Sequence, residues 1–276
     1  AELAFAAGRP VLIEKPLAAD AASARRIAAK AAEHGLFAME AMWTRFLPLM
    51  ETARRDIEAG ALGELRAFDA AFLRATKPNG ANSLFDPERG GGALLNRGVY
   101  PLSLARFLMG PVTEVQCLAR LAETGVDEDC SLMVRHASGA ISTLRSSLRT
   151  SGEPPMVVYG TTGTLRFEGP VWRPLGAKIM SVTADHGMSA PARFETLRET
   201  PLAQQLSRKL QSLKALRNRA RSLPAPLLGS GYQYEAAEVM ECVGRGDLTS
   251  KIMPLSESIE ILDVIEDARR TWQGGS

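Results

Sequence analysis

Hydrophobic and polar positions divide the chain into two parts with different periodicity. Near the start, two short apolar runs at residues 10–14 and 36–39 enclose a helical pattern at 21–34. Apolar runs without alternation are typical of strands buried on both faces. Asp20 and Gly35 are suitable residues for the two ends of the helix. This order predicts two parallel strands joined by a helix.

The pattern changes after residue 41. Alternating or β-rich segments follow at 65–72, 112–121, 130–135, 140–148, 156–159 and 164–167. Helical patterns occur at 44–60, 93–109, 232–243 and 256–272. We therefore predict an α/β unit over residues 1–41. It is followed by an α+β domain over 42–276 with a large, mainly antiparallel open sheet.

Composition narrows the function classes. The 276 residues include 33 basic and 31 acidic side chains, a net charge of +2. So small a charge argues against a nucleic-acid or membrane-surface binder, and no apolar run approaches the ~18 residues that a membrane helix needs. The three cysteines and three histidines are too scattered to predict a disulfide framework or a metal site. A cytoplasmic, reducing location is the expectation.

Residues 201–230 differ from the rest because they contain basic but no acidic side chains. Leucines at 202, 206, 210 and 213 have helical spacing. We expect a basic insertion, either a solvated helix or an arm that binds an anionic partner. The near-neutral charge of the whole chain favours the solvated helix. The basic residues are Arg208, Lys209, Lys214, Arg217, Arg219 and Arg221.

Several motifs together resemble one family. Glu14-Lys15-Pro16 follows a predicted strand, and Gly-Gly-Gly-Ala-Leu-Leu-Asn-Arg-Gly-Val-Tyr-Pro follows at 90–101. Family-like stretches in the expected order also occupy 35–46, 59–65, 231–236 and 253–258. The chain resembles the glucose–fructose oxidoreductase / inositol dehydrogenase / MocA (Gfo/Idh/MocA) family. Within it, the resemblance is greatest to the subgroup that contains dimeric dihydrodiol dehydrogenase and D-xylose dehydrogenases.

The resemblance implies a Rossmann domain, an α+β domain and a bound NAD or NADP. It implies hydride transfer between that cofactor and a sugar, polyol or cyclic diol. It also implies a homo-oligomer, expected to be a dimer, whose subunits pair through the open sheet. No G-x-G-x-x-G sequence occurs in the chain. We therefore interpret residues 1–41 as the C-terminal part of a truncated dinucleotide-binding domain. We expect the fragment by itself to be inactive.

Two residues are the catalytic candidates. Lys15 follows a strand at the carboxyl end of the sheet, where open α/β sheets bind ligands, and it would orient and activate the substrate hydroxyl. The resemblance gives Tyr100 the role of exchanging the proton, because a phenol can both donate and accept one. A surface lysine and a core tyrosine are the alternatives.

Asn96 is a third candidate, expected to bind substrate from the same helical face as Tyr100. The family often has aspartate at this position, and asparagine carries no charge. This departure leaves open a second hypothesis, a non-catalytic ligand-binding or interaction protein on the same fold.

The resemblance also predicts the residues that surround the reacting groups. Trp43 and Arg45 would line the nicotinamide and substrate cleft just beyond the second strand. Glu14 and Pro16 would shape the backbone beside the cofactor. Phe72 would form a wall of the substrate pocket. A packed tryptophan, a surface arginine and an ordinary strand residue are the alternatives.

Overall fold

Two sheets of different kinds organise the chain in the computed structural model, which describes residues 1–78, 82–182 and 220–273. The first sheet contains β1 (Val11–Glu14) and β2 (Ala38–Ala41), which pair in parallel. They follow the short α1 (Glu2–Ala6) and are joined by α2 (Ala21–Glu33). The side chain of Asp20 caps α2 by accepting from the Ser23 N–H at 2.6 Å. The predicted parallel unit is confirmed, with β2 starting two residues later than expected.

The second sheet has eight strands in the order β10-β9-β8-β7-β3-β6-β5-β4. Only β3 and β6 are parallel neighbours; every other pair that the structure describes is antiparallel. The predicted large, mainly antiparallel sheet is confirmed. The strands β9 and β10 were not predicted, because their short sequences lack a clear alternation. The strands are β3 (Leu65–Leu73), β4 (Val112–Leu121), β5 (Asp127–His136), β6 (Ile141–Ser147), β7 (Val157–Gly160), β8 (Gly163–Glu168), β9 (Gly176–Ser181) and β10 (Arg221–Leu223).

Two of the predicted helices have irregular first turns. The helix expected at 44–60 is a 3₁₀ turn, Trp43–Phe46, followed by α3 (Pro48–Glu58). Pro48 opens α3, since its fixed φ and missing N–H suit the first helical position. The helix expected at 93–109 is a π-helical turn, Leu94–Gly98, that continues into α4 (Val99–Met109). The last helices are α5 (Tyr232–Arg245) and α6 (Leu255–Gln273).

The helices α4 and α6 pack against the large sheet. Along β5, Leu132 and Val134 are buried while Met133 and Arg135 are exposed, as expected for a sheet covered on one face only. The same α6 contacts the parallel unit, where Glu266 accepts from the Ala21 N–H at 2.7 Å. This helix therefore connects the two sheets.

Most of the predicted basic insertion lies outside the described residues. Arg221 is described; it belongs to β10 and pairs with Asp56 at 2.7 Å. Within the described ranges, no helix combines the length and hydrophobicity needed to cross a bilayer.

A buried guanidinium joins the 3₁₀ turn to the rest of the fold. The side chain of Arg45 has no exposed surface. It donates to the Ser103 hydroxyl and carbonyl, both at 2.8 Å, and to the Ile252 carbonyl at 3.1 Å. Glu257 completes the set with an ion pair at 2.6 Å. The prediction that Arg45 lines a ligand cleft is therefore wrong, because its donors are used inside the protein.

We expect Arg45→Met to lower the free energy of unfolding by about 3–5 kcal/mol, because the carbonyls of Ser103 and Ile252 would lose their donor and Glu257 would lose the nearer of its two cationic partners. Arg25→Met is the matched control. Its ion pair with Asp263 is also 2.6 Å long but exposed to solvent, which screens it, so its loss should have a much smaller effect. Urea unfolding of both variants measures the difference. Equal losses would contradict a special role for Arg45.

Candidate active site

Lys15 lies immediately after β1, and Trp43 lies two residues after β2. Because the strands are parallel, their carboxyl ends meet at one edge of the small sheet. Lys15 is partly buried and donates from Nζ to the Asn96 carbonyl at 3.0 Å. This bond brings the predicted lysine and the Gly-rich motif together across the two parts of the chain.

The free carbonyl of Asn96 follows from the local sequence. Asn96 lies within the π-helical turn, in which a carbonyl accepts from the N–H five residues later. That residue is Pro101, which has no N–H. The carbonyl is therefore available to the ammonium group of Lys15. π-Helical turns occur frequently at functional sites.

Aromatic side chains surround the lysine. Its Nζ lies 5.1 Å from the centre of the Tyr100 ring. Phe72 contacts Tyr100 edge-on with ring centres 5.4 Å apart, and it stacks on Trp172 at 4.3 Å. Trp43 packs against Tyr232 at 4.7 Å. A flat, largely apolar wall thus lies beside the partly buried Lys15 and beside a second cation, Arg97, whose guanidinium is 5.7 Å from the centre of the Phe72 ring.

Burial shifts the pKa values of both catalytic candidates. The pKa of Lys15 is lowered because burial penalises its charge, and the carboxylates of Glu14 and Glu40 partly oppose this change. Burial raises the pKa of Tyr100 to about 12, although a hydrogen bond with the Trp43 side chain limits the rise. At neutral pH the phenol therefore keeps its proton, while the lysine loses its proton more readily than an exposed one.

The side chain of Asn96 holds the glycine turn in place. Its Nδ2 donates to the carbonyls of Gly90 and Gly92, at 2.8 and 3.0 Å. Asp127 supports the same turn by accepting from the Leu94 N–H at 2.6 Å. The amide nitrogen is thus used within the protein. Substrate binding by Asn96 stays a prediction.

Most of the predicted site residues come together. Lys15, Tyr100 and Phe72 form one contact chain, and Trp43 reaches Tyr100 from the other side. Glu14 is exposed and Pro16 is partly exposed beside the lysine. The side chain of Arg45 differs from those of the other predicted site residues, because it points away from Lys15 toward Ser103 and Glu257.

Comparison with known proteins identifies the family. A sequence model of the GFO/IDH/MocA C-terminal domain matches residues 50–166. Trans-1,2-dihydrobenzene-1,2-diol dehydrogenase of Mus musculus is 30% identical over 97% of this chain and 72% of its own length. The chain belongs to the Gfo/Idh/MocA family. This confirms the resemblance found in its motifs.

Two further relatives extend the comparison. D-xylose 1-dehydrogenase (NADP(+)) of Hypocrea jecorina is 29% identical over 99% of this chain and 68% of its own length. An aldose-aldose oxidoreductase from Caulobacter crescentus, solved with glycerol, has a TM-score of 0.77 at 20% identity. The match covers 100% of this chain and 73% of the oxidoreductase. At 20% identity this likeness shows the fold alone.

Sequence reasoning missed three neighbours of the site. Trp172 and Tyr232 extend the aromatic wall, and Glu235 is a buried carboxylate in the first turn of α5. Tyr232 and Glu235 belong to a stretch that resembles the family, so that stretch was a usable signal. Trp172 follows β8 in an irregular segment with no motif around it, so only the tertiary structure places it there.

We expect Asn96→Asp to destabilise the protein by about 2–3 kcal/mol at about pH 8, because a carboxylate would replace a donor that faces two carbonyls. The two carbonyl oxygens would repel the carboxylate and so raise the pKa of the introduced carboxyl group. The penalty should therefore be smallest below about pH 4, its unfolded pKa, where a protonated carboxyl still donates to one of the two carbonyls, and it should reach its full size as the pH rises through the higher folded value. Urea unfolding at several pH values measures it.

Asn82→Asp is the matched control. Asn82 uses its side-chain oxygen as an acceptor for the Leu84 N–H at 3.1 Å, and a carboxylate preserves that bond. Its stability should change by less than about 0.5 kcal/mol. If both variants behaved alike, the donor role of Asn96 would be refuted.

Proposed function

We propose that this protein is an NAD(P)-dependent oxidoreductase that moves a hydride between the cofactor and a CH–OH group of a sugar, polyol or cyclic diol. The observation that carries the proposal is the contact of Lys15 with Asn96 and Tyr100 at the carboxyl ends of β1 and β2. The substrate class follows the names of the diol and xylose dehydrogenases to which the chain is similar.

The site's residues suit the nicotinamide end of such a cofactor. A flat ring is complemented by the aromatic side chains of Trp43, Tyr100 and Phe72, next to the carboxyl ends of parallel strands. No G-x-G-x-x-G sequence occurs in this chain. We therefore assign its residues to the nicotinamide end only, with Glu14 and Pro16 shaping the adjacent backbone. The ring, when bound, would accept or supply the hydride.

Lys15 and Tyr100 would have different roles in the reaction. Tyr100, whose pKa burial raises to about 12, would donate the proton to the carbonyl oxygen in the reduction and take it back from the alcohol in the oxidation, because both directions pass through the same transition state. The ammonium form of Lys15 would orient the hydroxyl group and stabilise the developing alkoxide.

We expect Lys15→Met in the full-length protein to lower kcat by about 10²–10³, equivalent to roughly 3–4 kcal/mol of transition-state stabilisation. The alkaline limb of the wild-type pH–rate profile should lie below pH ~10.4, the ordinary lysine pKa, and should disappear in this variant. Tyr100→Phe should reduce the rate but keep that limb, because the phenol does not titrate in this range. Absorbance of the reduced nicotinamide measures both.

The control for Lys15 is Lys30→Met. Lys30 lies on the exposed side of α2, where it pairs with Glu33 at 2.7 Å. Its loss should leave kcat within about twofold, since it is remote from the site. Wild-type turnover in Lys15→Met, with the fold intact, would remove the lysine from the mechanism.

The proposed assembly is a homodimer formed through the open face of the large sheet. Five large hydrophobic side chains are exposed on this face. The register of the paired strands places all five on the same side of the sheet. Polar side chains such as Arg135 and Thr143 lie on the same face, and exposed hydrophobic residues among polar ones are typical of an interface between copies of a chain. The residues are Leu118, Met133, Ile141, Tyr159 and Met180. The cytoplasmic location also stays a prediction.

We expect Met133→Lys combined with Ile141→Lys to shift the protein from dimer to monomer, because two charges would replace exposed hydrophobic side chains of the proposed interface. Light scattering during size-exclusion chromatography measures the mass. Met240→Lys is the control, since Met240 is equally large and exposed but lies on α5. A wild-type monomer, or an unaffected dimer in the double variant, would contradict this interface.

A further inference from the structure

Glu235 is a buried carboxylate with an unused acceptor. It is 5% exposed, and its Oε2 atom has no hydrogen-bond partner among the described residues. An unpaired carboxylate oxygen away from water is costly, so such an atom is uncommon without a purpose. Surface carboxylates on the same helix, such as Glu241, have no comparable constraint.

The position of Glu235 connects it to the candidate site. It lies three residues after Tyr232 in the first turn of α5, so the two side chains share one face of the helix. Tyr232 packs on Trp43, and a Cβ on Gly231 would come within 2.8 Å of the same indole ring. This close packing fixes the start of α5 against the residues that follow β2.

The charges around Glu235 point to the same location. Burial raises the pKa of Glu235 to about 7, and the negative charge of Glu14, at the end of β1, adds to this rise. Both carboxylates in turn contribute to the raised pKa of Tyr100. The end of β1, the start of α4 and the first turn of α5 therefore bring Glu14, Tyr100 and Glu235 close enough for their charges to interact.

We propose that Glu235 binds a second hydroxyl group of the substrate, next to the one that is oxidised, and thereby selects diols and sugars over simple alcohols. This inference rests on the proposed function, because it assumes that the substrate lies beside Lys15 and Tyr100. A buried carboxylate accepts strongly from a hydroxyl, and Lys15 and Tyr100 are donors that serve the reacting oxygen. The acceptor and the donors are thus complementary to two neighbouring hydroxyl groups.

Selectivity follows from the cost of leaving Glu235 unpaired. A substrate with one hydroxyl would displace solvent from the site without supplying a donor to Oε2. Sites built to bind a hydroxyl discriminate strongly against analogues that lack it. The family-like stretch that contains Glu235 would therefore determine specificity rather than hydride transfer.

The test measures binding without turnover. Isothermal titration calorimetry of the full-length protein, with NADH or NADPH present, compares trans-1,2-cyclohexanediol with cyclohexanol, which differs by one hydroxyl. At about pH 8.5 we expect the wild type to prefer the diol by at least about tenfold. Glu235→Gln should lose most of that preference while its affinity for cyclohexanol stays the same. Glu241→Gln, the same change on the exposed side of α5, should retain the preference.

A pH series separates binding from a structural role. The groups that face Glu235 are Glu14 from β1, Tyr100 from α4 and Tyr232 on its own helix, while Arg45 of the adjacent 3₁₀ turn points to Ser103 and Glu257. Protonation of Glu235 below its pKa of about 7 should weaken the wild-type preference for the diol at about pH 5.5. The Glu235→Gln variant should show no such change.

The outcomes distinguish this proposal from the proposed function. The role of Glu235 would be overturned if Glu235→Gln weakened the binding of both ligands equally or changed the binding of neither. It would also be overturned if the wild type did not prefer the diol. Glu235→Asp, which keeps the charge, should recover part of the preference if the fold is intact. Hydride transfer is followed separately with NAD⁺ or NADP⁺. Diol binding through Glu235 without turnover would refute the oxidoreductase proposal alone.

Discussion

The burial of the Arg45 charge is the constraint on which the rest of the structure depends. A guanidinium stays charged at every relevant pH, so a fully buried one must find all its partners inside the protein. Arg45 finds them in Ser103 of α4, in the Ile252 carbonyl and in Glu257 of α6. Satisfying this one group sets the position of the 3₁₀ turn after β2 relative to the helices α4 and α6. Trp43, at the start of that turn, is positioned by the same network.

A second set of polar contacts, around Asn96, fixes the position of Lys15 in the site. Pro101 frees the Asn96 carbonyl, Lys15 binds it, and the Asn96 amide holds the glycine turn beneath. The lysine is consequently held by the part of the chain that follows β2, although it lies at the end of β1. Asparagine is suited to this position because its side chain donates where aspartate could only accept at neutral pH. The departure from the usual family residue thus has a structural explanation, and the hypothesis of a non-catalytic protein loses its main support.

Much of the architecture could be predicted, because it depends on local signals. The Asp20 cap, the apolar runs of β1 and β2 and the alternation along β5 and β6 are visible in the sequence and are present in the structure. Predictions failed where local signals were weak or ambiguous. The strands β9 and β10 are short, and the turn before Pro48 reads as helix although the chain adopts a 3₁₀ conformation. The division into domains at residue 41 stays a prediction, since α6 packs on both parts.

The sequence by itself determined the family, the two kinds of sheet and the lysine and tyrosine candidates, because these depend on periodicity and on motifs of neighbouring residues. Only the tertiary structure decided which polar side chains face the site. Arg45 and Lys15 are both basic residues near strand ends. The guanidinium of Arg45 is bound by Ser103 and Glu257 inside the protein, whereas the ammonium group of Lys15 lies beside Tyr100. Glu235 lies in a family-like stretch, but only the structure distinguishes this buried glutamate from the exposed ones on the same helix. The environment of a charge depends on residues distant in the chain, and no local pattern encodes it.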